Sequence, residues 1–310
     1  MSALICGSMA YDTIMVFHDK FKNHILPEKV HMLNVSFLVP VIRREYGGCA
    51  GNIAYNLNLL GEEPLTMAVV GHDFEPYSQW MSQNGLSSEF IRIIDNQYTG
   101  QAYITTDDEG NQITAFHPGA MSFAHLNSIP TESDISIGIV SPDGKDGMHL
   151  HAEQFVELEI TFIFHPGQGM PMFNGAELLK FIDQATWMTL NDYESELMQE
   201  RTGLSLEQMA ERVEALIITL GGKGSKIYTN GECITIPAAK PTSLLDPTGC
   251  GDAYRAGLLY GLMNDLNWEV TGRIASLMGA IKIEHHGTQN HTFSMNEFAR
   301  RFHENFGFSF

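Results

Sequence analysis

The chain has 310 residues, of which 44% are hydrophobic and 18% charged, enough apolar length for a large buried core and too little polarity for a disordered chain. A formal net charge of -19 argues against nucleic acid or an anionic membrane surface as partner, because both need clustered Lys and Arg. An anionic ligand would have to be held by local backbone amides and a metal against the field of the whole molecule. No apolar run approaches the roughly 20 residues of a membrane span, and the four cysteines show no pairing pattern, so a cytoplasmic, reducing location is expected.

Taken in order, Leu4-Ile5-Cys6 predicts a short buried strand, and Asp12 follows it where ligands meet the carboxyl ends of strands in open α/β sheets. For Asp12 a turn or cap role is equally open. Val30 to Tyr46 loses helical period and becomes strand-like, and Pro40 inside it suggests an edge strand. Arg43 and Arg44 could reach substrate or phosphate, with exposed surface charge the favoured reading for each. In Gly47-Gly48-Cys49-Ala50-Gly51-Asn52 a glycine turn enters a helix whose apolar face is Ile53, Ala54, Leu57 and Leu60. Paired glycines allow close backbone approach to a ligand, and Asn52 can donate and accept at once.

Leu65 to Val70 predicts a strand and Glu75 to Asn84 a helix, while Gln101 to Thr106 and Gln112 to Phe116 predict a hairpin. Strands at Ile135 to Val140, Ile160 to Phe164 and Trp187 to Leu190 then alternate with helices near Gly147 to Leu158 and Ala176 to Ala185. Asn191 and Glu194 have the spacing of a capping box opening a further helix. Leu216 to Leu220 is a buried strand feeding Gly221-Gly222-Lys223-Gly224, which lacks the spacing of a Walker A loop. Val270 to Ile283 is a helix rich in small residues. The histidines that follow, His285, His286 and His291, do not share a helix face and are expected to be solvated or capping. A surface helix over Met295 to Asn305 closes the chain.

The most informative stretch is Leu245-Asp246-Pro247-Thr248-Gly249-Cys250-Gly251-Asp252, which runs into an apolar helix. Glycines flanking a small Cys leave first-turn amides uncovered at a helix entry, where the dipole favours a negative group. Asp252 in that first turn places a carboxylate beside the anion cradle, a combination suited to phosphoryl transfer onto a hydroxyl.

This stretch resembles the second signature of the ribokinase-like, or PfkB, family of carbohydrate and nucleoside kinases, with Pro247 and Cys250 in place of the usual Thr and Ala. Gly48 and Asn52 resemble the first signature, Asn191 with Glu194 an Asn-x-x-Glu motif, and Thr219, Gly221 and Gly224 a turn that lies along the nucleotide. The resemblance implies a single three-layer α/β/α domain over residues 1–310, with a mostly parallel sheet and a small β lid built from roughly 13–46 and 98–118. It implies ATP-dependent phosphorylation of a hydroxymethyl group, with Asp252 as base and the amides of Gly249, Cys250 and Gly251 as anion hole. Asp12, Gly48, Asn52 and Phe116 would bind substrate. Asn191, Glu194, Thr219, Gly221, Gly224 and Gly287 would bind the nucleotide, Glu194 would act indirectly through Mg²⁺, and Asp246 and Thr248 would hold a monovalent cation such as K⁺. An apolar and aromatic lid with Phe37, Phe116 and Met121 favours a nucleoside acceptor, adenosine first, with ribose or another sugar as the alternative. A monomer or homodimer is expected. A ligand-sensing protein on the same scaffold would be favoured by a lost base or a broken cradle, and Gly249, Gly251 and Asp252 are all present.

Overall fold

The computed structural model describes residues 2–25, 34–109, 111–131 and 133–310. Among these, nine strands form one sheet and four form a second. In the larger sheet β1 (Ser2–Cys6) lies between β4 (Pro64–Gly71) and β8 (Ile135–Val140), with β5 (Ile91–Ile94) outside β4. On the other side β9 (Phe162–Phe164), β10 (Trp187–Asn191) and β11 (Ala215–Thr219) continue in parallel, and β12 (Ser225–Thr229) and β13 (Glu232–Ile236) add an antiparallel edge. The smaller sheet has the order β3 (Val41–Gly47), β2 (Ala10–Val16), β6 (Gly100–Thr106), β7 (Gln112–His117).

The larger sheet is covered on both faces because its central strands are mostly apolar and their side chains alternate between faces. Ala3, Ile5, Ile137, Ile139, Ala215 and Ile217 join one core with residues of α1 (Cys49–Leu59), α2 (Glu75–Gln83), α7 (Cys250–Met263) and α8 (Trp268–Ile283). Their neighbours Leu4, Cys6, Val140, Leu216 and Ile218 join a second core with α3 (Lys145–Glu157), α4 (Gly175–Gln184), α5 (Asp192–Thr202) and α6 (Leu206–Ala210). The last helix, α9 (Met295–Phe306), buries Phe298 and Phe302 against α8. Helices α7 and α8 approach so closely that a Cβ on Gly257 would lie 2.4 Å from Ala275 Cα. A mostly parallel sheet between two layers of helices, with a smaller second sheet, is the α/β architecture expected.

Two local expectations need correction. Asp12 is in the middle of strand β2 instead of a turn, opposite Glu45 of β3; polar residues at 12 and 13 hid the strand. The edge strand begins at Val41, after Pro40, and residues 34–40 carry no regular structure. The start of the predicted strand-like run, Val30 to residue 33, lies outside the described residues, as does Gly110 in the hairpin turn.

Candidate active site

The parallel strands β1, β10 and β11 of the large sheet end on the same side, β10 running straight into α5 and β11 into a 3₁₀ turn at Gly221–Lys223. Gly249 caps α7 with φ +79°, a left-handed conformation that glycine adopts without strain. A Cβ there would also meet Thr288 Cγ2 at 2.9 Å. The turn exposes Gly251, and among the described residues the amides of Gly249 and Gly251 have no backbone partner. The Cys250 amide differs, donating to the Pro247 carbonyl at 3.2 Å. The cradle expected from three amides therefore has two that are free, and the third is committed to its own turn.

Asp252 sits below this turn, 9% exposed. Its Oδ2 accepts from Asn52 Nδ2 at 2.8 Å. Asn52 is held in turn, because Gln289 Nε2 donates to its Oδ1 at 3.1 Å, and Trp80 Nε1 donates to Gln289 Oε1 at 3.0 Å. Burial raises the Asp252 pKa, while the Asn52 amide, the Arg255 guanidinium and the Cys49 thiol favour the ionised form. The result is a carboxylate more basic than a surface aspartate. Asp12 is pushed up to about 6, first by burial and then by the negative charges of Asp252, Glu45 and Asp246. A Cβ at Gly47 would lie 2.5 Å from Asp12 Oδ2, so the glycine makes room for that carboxylate.

Two cations counter these acids, of which the sequence did not single out Arg255. Arg255 is buried under the first turn of α7, its Nη2 is 3.9 Å from Glu194 Oε2, and a Cβ on Gly251 would lie 2.6 Å from its Nη1. Arg43, read from sequence as surface charge, is half-buried with Nη2 3.9 Å from Asp246 Oδ2. Arg44 is nearer the expectation, but its guanidinium lies 3.6 Å over the Tyr11 ring. His165 completes the surroundings of Asp252. Its ring nitrogen, the Cys49 thiol and the Asp252 carboxylate lie within 4.8 Å of one another, and burial followed by the nearby Arg255 keeps this imidazole neutral.

The remaining predicted residues fall into distinct places. Asn191 and Glu194 form the capping box of α5: Asn191 Oδ1 accepts from the Glu194 amide at 2.7 Å and Glu194 Oε2 from the Asn191 amide at 2.9 Å. Thr219 ends β11 with its hydroxyl donating to the Leu190 carbonyl at 3.4 Å, and Gly221 and Gly224 bound a short 3₁₀ turn after it. Gly48, at φ +87°, is forced to be glycine by the protein's own backbone, since a Cβ would lie 2.5 Å from the Ser8 carbonyl. Gly287 gives its amide to Asp246 Oδ2 at 3.0 Å. Phe116 stands 53% exposed on β7, Phe37 packs against Phe17 and Phe21, and Met121 is buried. Of the three histidines, His291 departs from expectation: it is fully buried and bonded to Asn56 Oδ1 at 2.7 Å. Arg255 was legible in principle as a charge inside an apolar helix, whereas nothing local marks Gln289 or His165.

A glycine-opened helix entry next to a buried, basic carboxylate is the equipment that moving a phosphoryl group onto an alcohol requires, and it defines the class as α/β phosphotransferase. A model of the pfkB family of carbohydrate kinases matches residues 9–141 and 161–294. The chain belongs to that family and is a phosphotransferase acting on an alcohol group. It is similar to a nucleoside kinase of Methanocaldococcus jannaschii, with 31% identity over 265 residues covering 84% of this chain and 87% of that one. The structure of Burkholderia thailandensis nucleoside kinase in complex with inosine matches at TM-score 0.91 and 48% identity over 99% of both chains. The same enzyme in complex with ADP-inosine matches at TM-score 0.88 and 50% identity, over 99% of this chain and 97% of that one.

Proposed function

We propose that this protein is an ATP-dependent nucleoside kinase that phosphorylates the 5′-hydroxyl of a purine nucleoside, with adenosine and inosine as the first acceptors to test. The observation that carries this is the pairing of Asp252, buried and held by Asn52 at 2.8 Å, with the exposed helix entry at Gly251. The extent of likeness to a nucleoside kinase solved with inosine supports the acceptor class.

In this mechanism Asp252 takes the proton of the acceptor hydroxyl, a step worth about 10²- to 10⁴-fold. The free amides of Gly249 and Gly251, with Arg255 beneath them, stabilise the charge on the transferring group. Asp12 accepts from the ribose hydroxyls, most strongly and on both oxygens when it is ionised. Thr219, Gly221 and Gly224 border the nucleotide. Magnesium, when bound with ATP, neutralises the phosphates. Glu194 fits an indirect role there, because Oε2 is tied to the helix cap and Oε1 has no partner among the described residues. Asn191 fits less well as a ligand, because its oxygen is spent on the cap. The small sheet of β2, β3, β6 and β7 acts as a lid, bringing Phe116 toward the base and excluding water. A cytoplasmic setting suits these substrates, and among the described residues no helix is long and apolar enough to cross a membrane.

The test is ADP release with ATP and Mg²⁺ across adenosine, inosine, cytidine, ribose and fructose, with the product identified by mass spectrometry. A nucleoside 5′-monophosphate formed from the purines at the highest kcat/KM is expected. Preference for free ribose or fructose would overturn the nucleoside assignment.

A further inference from the structure

The family resemblance assigns a monovalent cation to Asp246 and Thr248, and the oxygens at that place do not fit one. The Asp246 carboxylate is already committed: Oδ1 accepts from the Thr248 amide at 3.0 Å and Oδ2 from the Gly287 amide at 3.0 Å. The Thr248 hydroxyl also bonds to this carboxylate. The Asp246 carbonyl is taken as well, by the ammonium of Lys282. That side chain, near the end of α8, is fully buried and donates to the Asp246 carbonyl at 2.9 Å and to the His285 carbonyl at 3.0 Å. A K⁺ ion is held by a ring of carbonyl oxygens that replaces its water. Here two such oxygens converge on a cation, and that cation is covalently part of the protein.

Burying a lysine is costly unless its charge is matched. Around Lys282 the matching groups are the two carbonyls and the Asp246 carboxylate, whose pKa the ammonium helps to lower. Burial lowers the Lys282 pKa and nearby Arg43 adds to this, while Cys250 and Asp246 oppose them. His291 faces the same pocket and is kept neutral, its pKa lowered to about 3 by burial, then by Lys282 and His285. The ammonium also joins the two segments whose meeting shapes the cradle. The amides of Leu245 and Asp246 donate to the Ile283 carbonyl at 2.9 and 3.1 Å, and Gly287 closes back onto Asp246. Cys250, the first residue of α7, is close enough for the Lys282 charge to act on its thiol.

We propose that Lys282 is a built-in replacement for the monovalent cation, a positioning residue that locks the Asp246–Asp252 loop and makes the protein independent of K⁺. The proposal rests on the kinase reading of that loop, so its test includes binding and stability as well as turnover. Affinity for ADP with Mg²⁺ by calorimetry, Tm, and kcat/KM are measured in KCl, NaCl and tetramethylammonium chloride at equal ionic strength, for the native protein and for Lys282→Ala and Lys282→Met. The native protein should vary by less than about twofold among the three salts, while Lys282→Met should lose about tenfold or more in ADP affinity in all of them, since a buried charge-assisted contact is removed. Lys282→Ala leaves room for an ion, and K⁺ should restore its ADP affinity by about fivefold or more over tetramethylammonium, with a matching rise in Tm. Activation of the native protein by K⁺ beyond about threefold, or native ADP affinity in Lys282→Met, would overturn the proposal. If Lys282→Ala does not fold, the native salt comparison and Lys282→Met still decide it. Absence of turnover by the native protein on every acceptor would count against the kinase reading alone, because the ADP and Tm measurements read Lys282 without turnover.

Discussion

At the scale of single residues, the site concentrates acids: the charges of Asp252, Glu45 and Asp246 all raise the pKa of Asp12, after burial. This has a cost in stability that can be measured. Because the Asp12 pKa is raised from 3.8 to about 6, the folded state binds more protons than the unfolded one in that interval. Its stabilising effect is therefore complete below 3.8 and lost as pH rises through 6. The interval corresponds to about 3 kcal/mol at most, so Asp12→Asn should raise the Tm at pH 7.5 while raising KM for the nucleoside. A lowered Tm with unchanged KM would show that Asp12 serves the fold instead. In the native enzyme kcat/KM should rise with pH through about 6 as Asp12 ionises, and Asp12→Asn should lose that inflection while keeping the limb due to Asp252. The chemistry-bearing residues were legible because a motif in a single stretch sets Gly249, Gly251 and Asp252 side by side. Their supports were not legible, because Gln289 reaches Asn52 across 237 positions of sequence and only tertiary packing brings them together.

At the scale of elements, the capping box of α5 shows how one pair of residues serves structure first. Asn191→Ala removes an N-cap, which costs about 1 kcal/mol. It also frees Glu194 from the cap, so the Mg²⁺ concentration for half-maximal rate should rise; a stability loss with an unchanged Mg²⁺ requirement would confine the pair to capping. The α7–α8 contact makes a separate prediction. Gly257→Val would drive a side chain into the Ala275 backbone, which a Cβ alone would approach to 2.4 Å, with an overpacking cost of about 1–3 kcal/mol. Thermal unfolding should report that loss, and a Tm within error of native would mean that the helices can separate. Helices and buried strands were legible from period and composition, as with Ile135–Val140, where the predicted and observed limits coincide. Strand β2 was not, because Asp12 and Thr13 interrupt an apolar run with polar residues of the smaller sheet.

At the scale of the whole molecule, the smaller sheet meets the loops around Asp246 and Thr288 through β3. Arg43 reaches toward Asp246, Glu45 accepts from Asn290 Nδ2 at 2.8 Å, and the Tyr46 carbonyl accepts from the Thr288 hydroxyl at 2.6 Å. Closure of this sheet over bound nucleoside should slow amide hydrogen exchange across residues 41–47 and 100–117 when inosine is added, and unchanged exchange there would exclude a lid motion. The two-sheet plan was implied by the family resemblance, but the strand order was not legible in the sequence, because pairing between β1, β4 and β8 is a long-range choice that no local pattern encodes. The account as a whole depends on Asp252 removing a proton beside the helix entry that receives the phosphoryl group. The most direct measurement compares Asp252→Asn with the native enzyme in single-turnover phosphorylation of inosine and in calorimetric ADP binding. Turnover lower by about 10³-fold with ADP affinity within about threefold is predicted; turnover within about tenfold of native would contradict it.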